Sequence, residues 1–217
     1  MSIIVTATGS LLGMLMTAMM AYPLSKNMLR GKTFFTLMIF FTMLFGGGMI
    51  PNYILIKNLH LFNTLPALIL PGLISAWNFF IMRNFFAALP ESLEESARID
   101  GATDIRIFFQ IILPLSKAVL ATIVLFMAVG YWNDFFSSVL YMVDKDKWSL
   151  QAVLRQIIGQ TSSAMSQAGV DISTESEVSS QSIVMASIIV ATTPILLVYP
   201  FLQKYFMKGV LVGSLKG

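Results

Sequence analysis

Cysteine is absent from the 217 residues, which excludes disulfides, thiolate nucleophiles and Cys-ligated metals together. Charge is scarce as well. Only 12% of residues are Asp, Glu, Lys or Arg, about half the roughly 25% of a soluble domain. The chain therefore has too few water-facing groups to clothe an ordinary globule. Histidine occurs once, at His60, so no His pair can be assembled. No Gly-x-x-x-x-Gly-Lys-Ser/Thr run occurs either, which excludes a P-loop ATPase. The net charge of +3 is too small to suggest nucleic acid.

What is present is apolar length. Residues 1–25, 33–56, 58–82 and 178–203 each lack a charged side chain, and about 20 apolar residues cross a hydrocarbon core of roughly 30 Å. The expected fold class is an all-α integral membrane protein of about five transmembrane helices, one permease domain over residues 1–217. The spans are read as 3–24, 34–56, 64–83, 113–133 and 181–203. No basic segment precedes the first apolar run, so it reads as a retained span and not as a cleaved signal peptide. Lys117, in the first turn of the fourth span, can snorkel to the headgroups.

Lys and Arg fall unevenly between the two sides. Ten lie on the side of Lys26, Arg83, Arg98, Lys117 and Lys204, and four, Lys57, Lys145, Lys147 and Arg155, lie on the other. The richer side is cytoplasmic by the positive-inside rule, which sets the N-terminus outside and the C-terminus inside. Two connections are long: a cytoplasmic loop, 84–112, and an external segment, 134–180. In the second span Gly46, Gly47, Gly48 and Pro51 disturb helix. They mark either a broken helix lining a cavity or close packing of small residues against a neighbour.

The cytoplasmic loop reads as a short helix, a stop and a second helix. Pro90 suits a first helical position. Glu91, Glu94 and Glu95 complement the positive end of the dipole. Gly101 sits where a left-handed C-cap belongs, and Thr103 can cap the second helix. In that helix Ile105, Phe108, Phe109 and Ile112 recur at helical spacing. Ser96 and Ala97 keep the first helix slim enough for another protein to approach closely.

Residues Glu95-Ser96-Ala97, three residues, Gly101, nine residues, then Ile111, Ile112, Leu113 and Pro114 match the loop signature of binding-protein-dependent ABC importer permeases, with Ser96 the one departure. The chain resembles that family over essentially its whole length. It is most similar to the carbohydrate-uptake, MalG-like branch through Ala21-Tyr-Pro-Leu-Ser25, Glu95 to Ala102 and Tyr131-Trp-Asn-Asp134. Such subunits usually have six spans, and material resembling the first is absent here. The resemblance implies a non-enzymatic subunit that forms a solute pathway, for a sugar or oligosaccharide, by alternating access in the bacterial inner membrane. Implied partners are cytoplasmic ATPase subunits, a second permease and an extracytoplasmic solute-binding protein. ATP and Mg would be bound by the ATPase, and no cofactor by this chain. Docking of the ATPase is assigned to loop 90–114, with Glu94, Glu95, Ser96, Ala97, Arg98, Asp100, Gly101, Ile111, Leu113 and Pro114.

Outside the loop, Trp132, Asn133 and Asp134 end the fourth span on the outer side. They serve either as interface anchors or, by aromatic stacking and amide hydrogen bonding, as solute contacts. Leu150, Val153, Leu154, Ile157 and Ile158 share one helical face, and residues 161–180 read as a loop. Two alternatives are weighed. A secondary transporter subunit needs ionisable groups within its spans, which are essentially missing. An intramembrane enzyme built on Glu94-Glu95 needs histidines nearby, and His60 lies on the opposite side.

Overall fold

The computed structural model of the chain describes residues 1–26, 29–167, 182 and 184–197. Within them the regular structure is helical. In chain order the helices are α1 (Ser2–Ser25), α2 (Lys32–Leu44), α3 (Met49–Asn58), α4 (Leu65–Ile69), α5 (Ala76–Ala87), α6 (Ser92–Ile99), α7 (Asp104–Ile107), α8 (Leu113–Leu115), α9 (Lys117–Asn133), α10 (Phe136–Tyr141) and α11 (Leu150–Gln167). A further apolar helix, α12, covers Val184–Leu197. The fifth expected span, 181–203, and the loop at 161–180 lie partly outside the described residues, as do Lys204, Lys208 and Lys216.

Helix α1 is the axis of the fold. Its 24 residues measure about 36 Å at 1.5 Å per residue, and its mean hydropathy of 1.8 suits a span. It is apolar all round, and Ile3, Ile4, Leu11, Leu12, Met16 and Met19 remain exposed, as lipid-facing side chains would. The buried face is different in kind. Val5, Gly9, Gly13, Thr17 and Ala21 recur every four residues and meet Val119, Ile123, Met127 and Tyr131, which recur every four on α9. Small residues let two backbones approach, which drives helix association where lipid removes the hydrophobic incentive. Gly9, Gly13 and Thr17 of this span thus belong to the seam. A Cβ at Gly9 would lie 2.7 Å from the Tyr131 ring, and one at Gly13 would lie 2.7 Å from the Leu73 carbonyl oxygen.

The other apolar stretches are broken. Helices α2 and α3 meet at 114°, the α4 segment and α5 at 53°, and the 104–115 segment and α9 at 81°. The stretch 34–56 is therefore two helices and not one rod. Its glycines are not a packed seam among the described residues. A Cβ at Gly46 would meet nothing within 4 Å, and Gly48 holds φ +83°, a turn that only glycine makes without strain.

Each remaining break has a local cause and a repair. After α4 a 3₁₀ turn covers Leu70–Gly72, and Leu73 donates to Leu70 instead of Ile69. The carbonyl of Ile69 left over accepts the Tyr131 hydroxyl at 2.8 Å. Such repair by a neighbouring helix is what permits broken helices at membrane depth. At Pro114 the missing N–H and the ring's clash with the preceding turn coincide with a π-helical turn over Phe108–Ile112.

At the C-terminal end of α1, Arg83 Nε donates to the Leu24 carbonyl at 3.0 Å and Lys32 Nζ to that of Ser25 at 3.3 Å. Cations there complement the helix dipole. At the N-terminal end the Ser2 hydroxyl accepts from the Leu150 N–H at 2.6 Å, fastening the start of α11 to α1.

Gly13→Val tests the seam. The Leu73 oxygen belongs to backbone and cannot swing away, so overpacking of this kind costs about 1–3 kcal/mol. We expect a lower unfolding midpoint in detergent than for Leu12→Val, which changes a lipid-facing position. Equal midpoints would dissolve the seam.

Candidate functional site

The loop at 90–114 folds into a hook of two short helices. Its stop is a full Schellman closure. The Gly101 N–H donates to the Arg98 carbonyl at 3.0 Å and the Ala102 N–H to that of Ala97 at 2.9 Å, with Gly101 at φ +79°. A side chain there would cost about 1–2 kcal/mol, although space is open. Thr103 then caps α7, its hydroxyl accepting the Arg106 N–H at 3.4 Å. Helix α6 begins at Ser92, with Glu91 as N-cap, so Pro90 precedes the helix instead of opening it.

Helix α6 has two unlike faces. Glu94 and Ala97 are buried, while Leu93, Glu95, Ser96, Arg98, Ile99, Asp100 and Gly101 are exposed. Ile99 is 87% exposed and Ile105, on α7, 73%. Apolar side chains held that openly beside a polar helix suit burial against a second protein. Beneath the hook, Tyr22 is the platform, its ring 5.2 Å from that of Phe108 and 6.1 Å from that of Phe86.

The expected docking set accordingly divides. Glu95, Ser96, Arg98, Asp100 and Gly101 lie together on the outer face. Ala97 faces inward. Ile111 and Leu113 are half-buried in the second arm and Pro114 is exposed, so these three shape the return to α9. Glu94, only 4% exposed, points away from any docking partner. Its carboxylate accepts the Tyr22 hydroxyl at 3.2 Å and pairs with the Lys26 ammonium. Arg98 lies 4.0 Å from it while holding Asp104 at 3.1 Å. In the second arm Ile107, Phe108 and Ile112 form the buried face. Ile105 and Phe109 are exposed, and a π-helical turn at Phe108–Ile112 breaks the regular spacing beyond Ile107. Sequence reasoning passed over Tyr22, Lys26 and Ile99. The signal for Ile99 was an isolated apolar residue in a charged helix, whereas nothing local marked the other two.

On the opposite side of the fold a cleft of about 640 Å³ opens between the broken α4–α5 segment and the end of α9. Trp77, Asn78, Tyr131, Asp134 and Ser137 line it. Trp77 is 60% exposed. Of the expected solute contacts only Asp134 reaches this cleft. The Trp132 indole is buried and donates to the Ala191 carbonyl at 3.1 Å, binding α9 to α12. Asn133 donates to the Val129 carbonyl at 2.9 Å and accepts from Gln151 at 3.5 Å. Asp134 itself caps α10 by accepting the Ser137 N–H at 3.0 Å.

Residues 6–212 match the family described as the binding-protein-dependent transport system inner membrane component. The chain belongs to that family. Among its relatives is the polygalacturonan/rhamnogalacturonan transport system permease protein YtcP of Bacillus subtilis (strain 168), 49% identical over 216 residues covering 100% of this chain and 75% of that protein. The diacetylchitobiose uptake system permease protein NgcG of Streptomyces coelicolor is 34% identical over 223 residues, covering 99% and 68%. A chain from the crystal structure of a bacterial ABC transporter involved in the import of the acidic polysaccharide alginate superposes with a TM-score of 0.82 at 32% identity, covering 94% of this chain and 72% of that one. This importer permease is thus a membrane transport component that works in a complex with other subunits, and ATP hydrolysis is carried by separate ATPase subunits.

The permease's segment 141–147 is held by one asparagine. Asn63, at φ +61°, donates from its N–H to the Tyr141 carbonyl at 2.9 Å and from its amide to the Asp144 carboxylate at 2.9 Å. Its side-chain oxygen accepts the N–H groups of Val143 and Asp144. Lys147, 2.9 Å from the same carboxylate, and Asn63 hold the Asp144 carboxyl below its ordinary value. That contribution is present above the ordinary carboxylate range and is lost as pH falls through the lowered pKa. Asn63→Ala removes the side-chain bonds. We expect faster amide exchange at Val143 and Asp144, equivalent to roughly 1–2 kcal/mol of local stability, with unchanged exchange in α9. Unaltered exchange at both amides would show that the segment is held by other contacts.

Proposed function

We propose that this permease forms part of the solute pathway of an ATP-driven saccharide importer and receives the ATPase on the hook at 90–114. The two-faced α6 carries the reading. A helix closed by Gly101 is anchored by Glu94 and Ala97 while it presents Glu95, Ser96, Ile99 and Asp100 outward. ATP-driven closure of the ATPase then moves the hook, and the spans alternate between inward and outward openings. This is one bistable element biased from a distant site. The partners are two ATPase subunits, a second permease and an extracytoplasmic solute-binding protein. The domain is read as one unit of about five spans, three of them broken, with its N-terminus outside and its C-terminus cytoplasmic.

A saccharide suits the outer cleft for chemical reasons as well as by the solutes for which the relatives are named. An exposed indole offers an apolar face for stacking on a sugar ring, by the same amphipathic logic that places aromatics at interfaces. Asn78, Asp134, Ser137 and Ser75 supply hydrogen-bond partners for hydroxyls. Polar groups set into a membrane span are costly and mark function. The solute-pathway reading therefore passes from Trp132 and Asn133 to Trp77 and Asn78, with Asp134 retained.

Two substitutions test the halves of this proposal separately. Gly101→Asp disturbs the Schellman closure and adds a carboxylate to the outer face. We expect normal membrane insertion, with the ATPase lost on affinity purification from mild detergent. Full recovery of the ATPase would defeat the docking assignment. Trp77→Ala leaves the hook intact, so the ATPase should co-purify. Uptake should fall several-fold, measured in turn with oligogalacturonate, alginate oligomers and a maltooligosaccharide. Wild-type uptake of whichever probe is carried would remove Trp77 from the pathway.

A further inference from the structure

The hook is joined to the spans by two kinds of route. One is covalent: residues 88–91, a non-helical link that includes Pro90, lead back to α5, and toward α9 the chain runs through α7, the π-helical turn at Phe108–Ile112 and α8. That route is compliant. It holds a turn whose hydrogen bonds are out of α-helical register, a proline at 114, and an 81° bend before α9. Ser116, at the bend, has φ −96° and ψ 14°, so the two arms do not share one helical ladder. A push on α6 along this path meets three soft joints before it reaches a span.

The other route is not covalent and is short. From the inner face of α6 the Glu94 carboxylate reaches the last turn of α1, where it accepts the Tyr22 hydroxyl and pairs with the Lys26 ammonium. The Glu94 side chain is 6% exposed and that of Lys26 14%, so water screens this pair little. The Lys26 ammonium also lies 5.6 Å from the centre of the Tyr22 ring. Pro23 lies inside this last turn, and the turn is held from outside, because Arg83 and Lys32 donate to the Leu24 and Ser25 carbonyls beside Lys26. Beyond this end, α1 is a single unbroken helix seated on α9 and α5. A buried ion pair of this kind is weak evidence for stability, since apolar replacements often serve as well. Its cost calls for another role.

We propose that the Glu94–Lys26 pair is the strut through which the hook moves the membrane spans, and that α1, not the covalently adjacent α9, is the element driven first. This rests on the reading of the hook as the ATPase-docking element. Glu94 and Lys26 are positioning residues. They contact neither the ATPase nor the solute, and they act through α1. Coupling of this sort needs a contiguous physical carrier whose two ends are biased together. The pair supplies one where the backbone path bends.

The absence of cysteine makes a direct test practical. Ile4, exposed near the outer end of α1, is replaced by cysteine in an otherwise unchanged chain. Maleimide labelling of the purified complex is then timed without nucleotide and with ATP, Mg²⁺ and vanadate. Nucleotide should change the labelling rate at least threefold when the pair is intact. Glu94→Gln keeps an acceptor for Tyr22 and removes only the charge, and Lys26→Met removes the other partner. Each should retain the ATPase on purification but bring the rate ratio to one. The exchanged pair Lys26→Glu/Glu94→Lys should restore most of the response, which a merely structural loss would not do. If a single variant fails to reach the membrane because one charge is left buried alone, Lys26→Met/Glu94→Gln leaves none. That double variant should assemble and remain unresponsive.

A full labelling response in the singles or in the neutral double, with the ATPase bound, overturns the strut and leaves the docking reading standing. Failure of the exchanged pair to respond, while assembled, also overturns it. Loss of the ATPase from assembled Glu94→Gln would make Glu94 part of the docking surface and overturn the assignment as well. Absence of the ATPase from the unsubstituted complex would remove the docking reading and the strut with it.

Discussion

The close approach of α1 and α9 is the contact on which the other features depend. Lipid offers no hydrophobic reward for pairing two apolar helices, so association must come from fit. Gly9, Gly13, Thr17 and Ala21 provide it by leaving room for Met127 and Tyr131. That seam sets where the ends of α1 lie. Its C-terminal end then meets Arg83, Lys32 and the hook. Its N-terminal end, through Ser2, meets the start of α11. One continuous helix thus runs from the hook to α11, while its neighbours are bent.

The bends follow from the demand that backbone polar groups be satisfied away from water. A break is tolerated where a side chain takes over the freed group, as Tyr131 does for the Ile69 carbonyl. The same tyrosine packs against Gly9 and Gly72, so one residue closes the helix seam and repairs the broken span beside it. The break in turn opens the cleft that the exposed Trp77 and the buried Asn78 line. Pathway and packing are consequences of one arrangement.

The hook was legible in detail because its signals are local. A carboxylate-rich first turn, a left-handed glycine stop and a threonine cap are decided by residues within four of one another. They appear in the structure at Gly101 and Thr103, with the helix start displaced past Pro90. Which face of α6 turns inward was not legible. Glu94 and Glu95 are neighbours of the same type, and only the Tyr22 and Lys26 side chains, some 70 positions away, separate them. The second arm divides in a related way. Of the four apolar residues at helical spacing, Phe108 and Ile112 are buried while Ile105 and Phe109 are exposed.

By itself the sequence determined the class of molecule, the family and the construction of the hook. Composition, uncharged length and cap chemistry act over short distances and do not depend on how the chain packs. Tertiary structure alone decided which carboxylate is anchored and which is displayed, and where the long apolar stretches break. It also decided that the exposed aromatic in the outer cleft is Trp77, while Trp132 is spent binding α12. Those outcomes depend on pairs of residues distant in sequence, whose energies exist only after α1 has settled against α9. No window along the chain contains them.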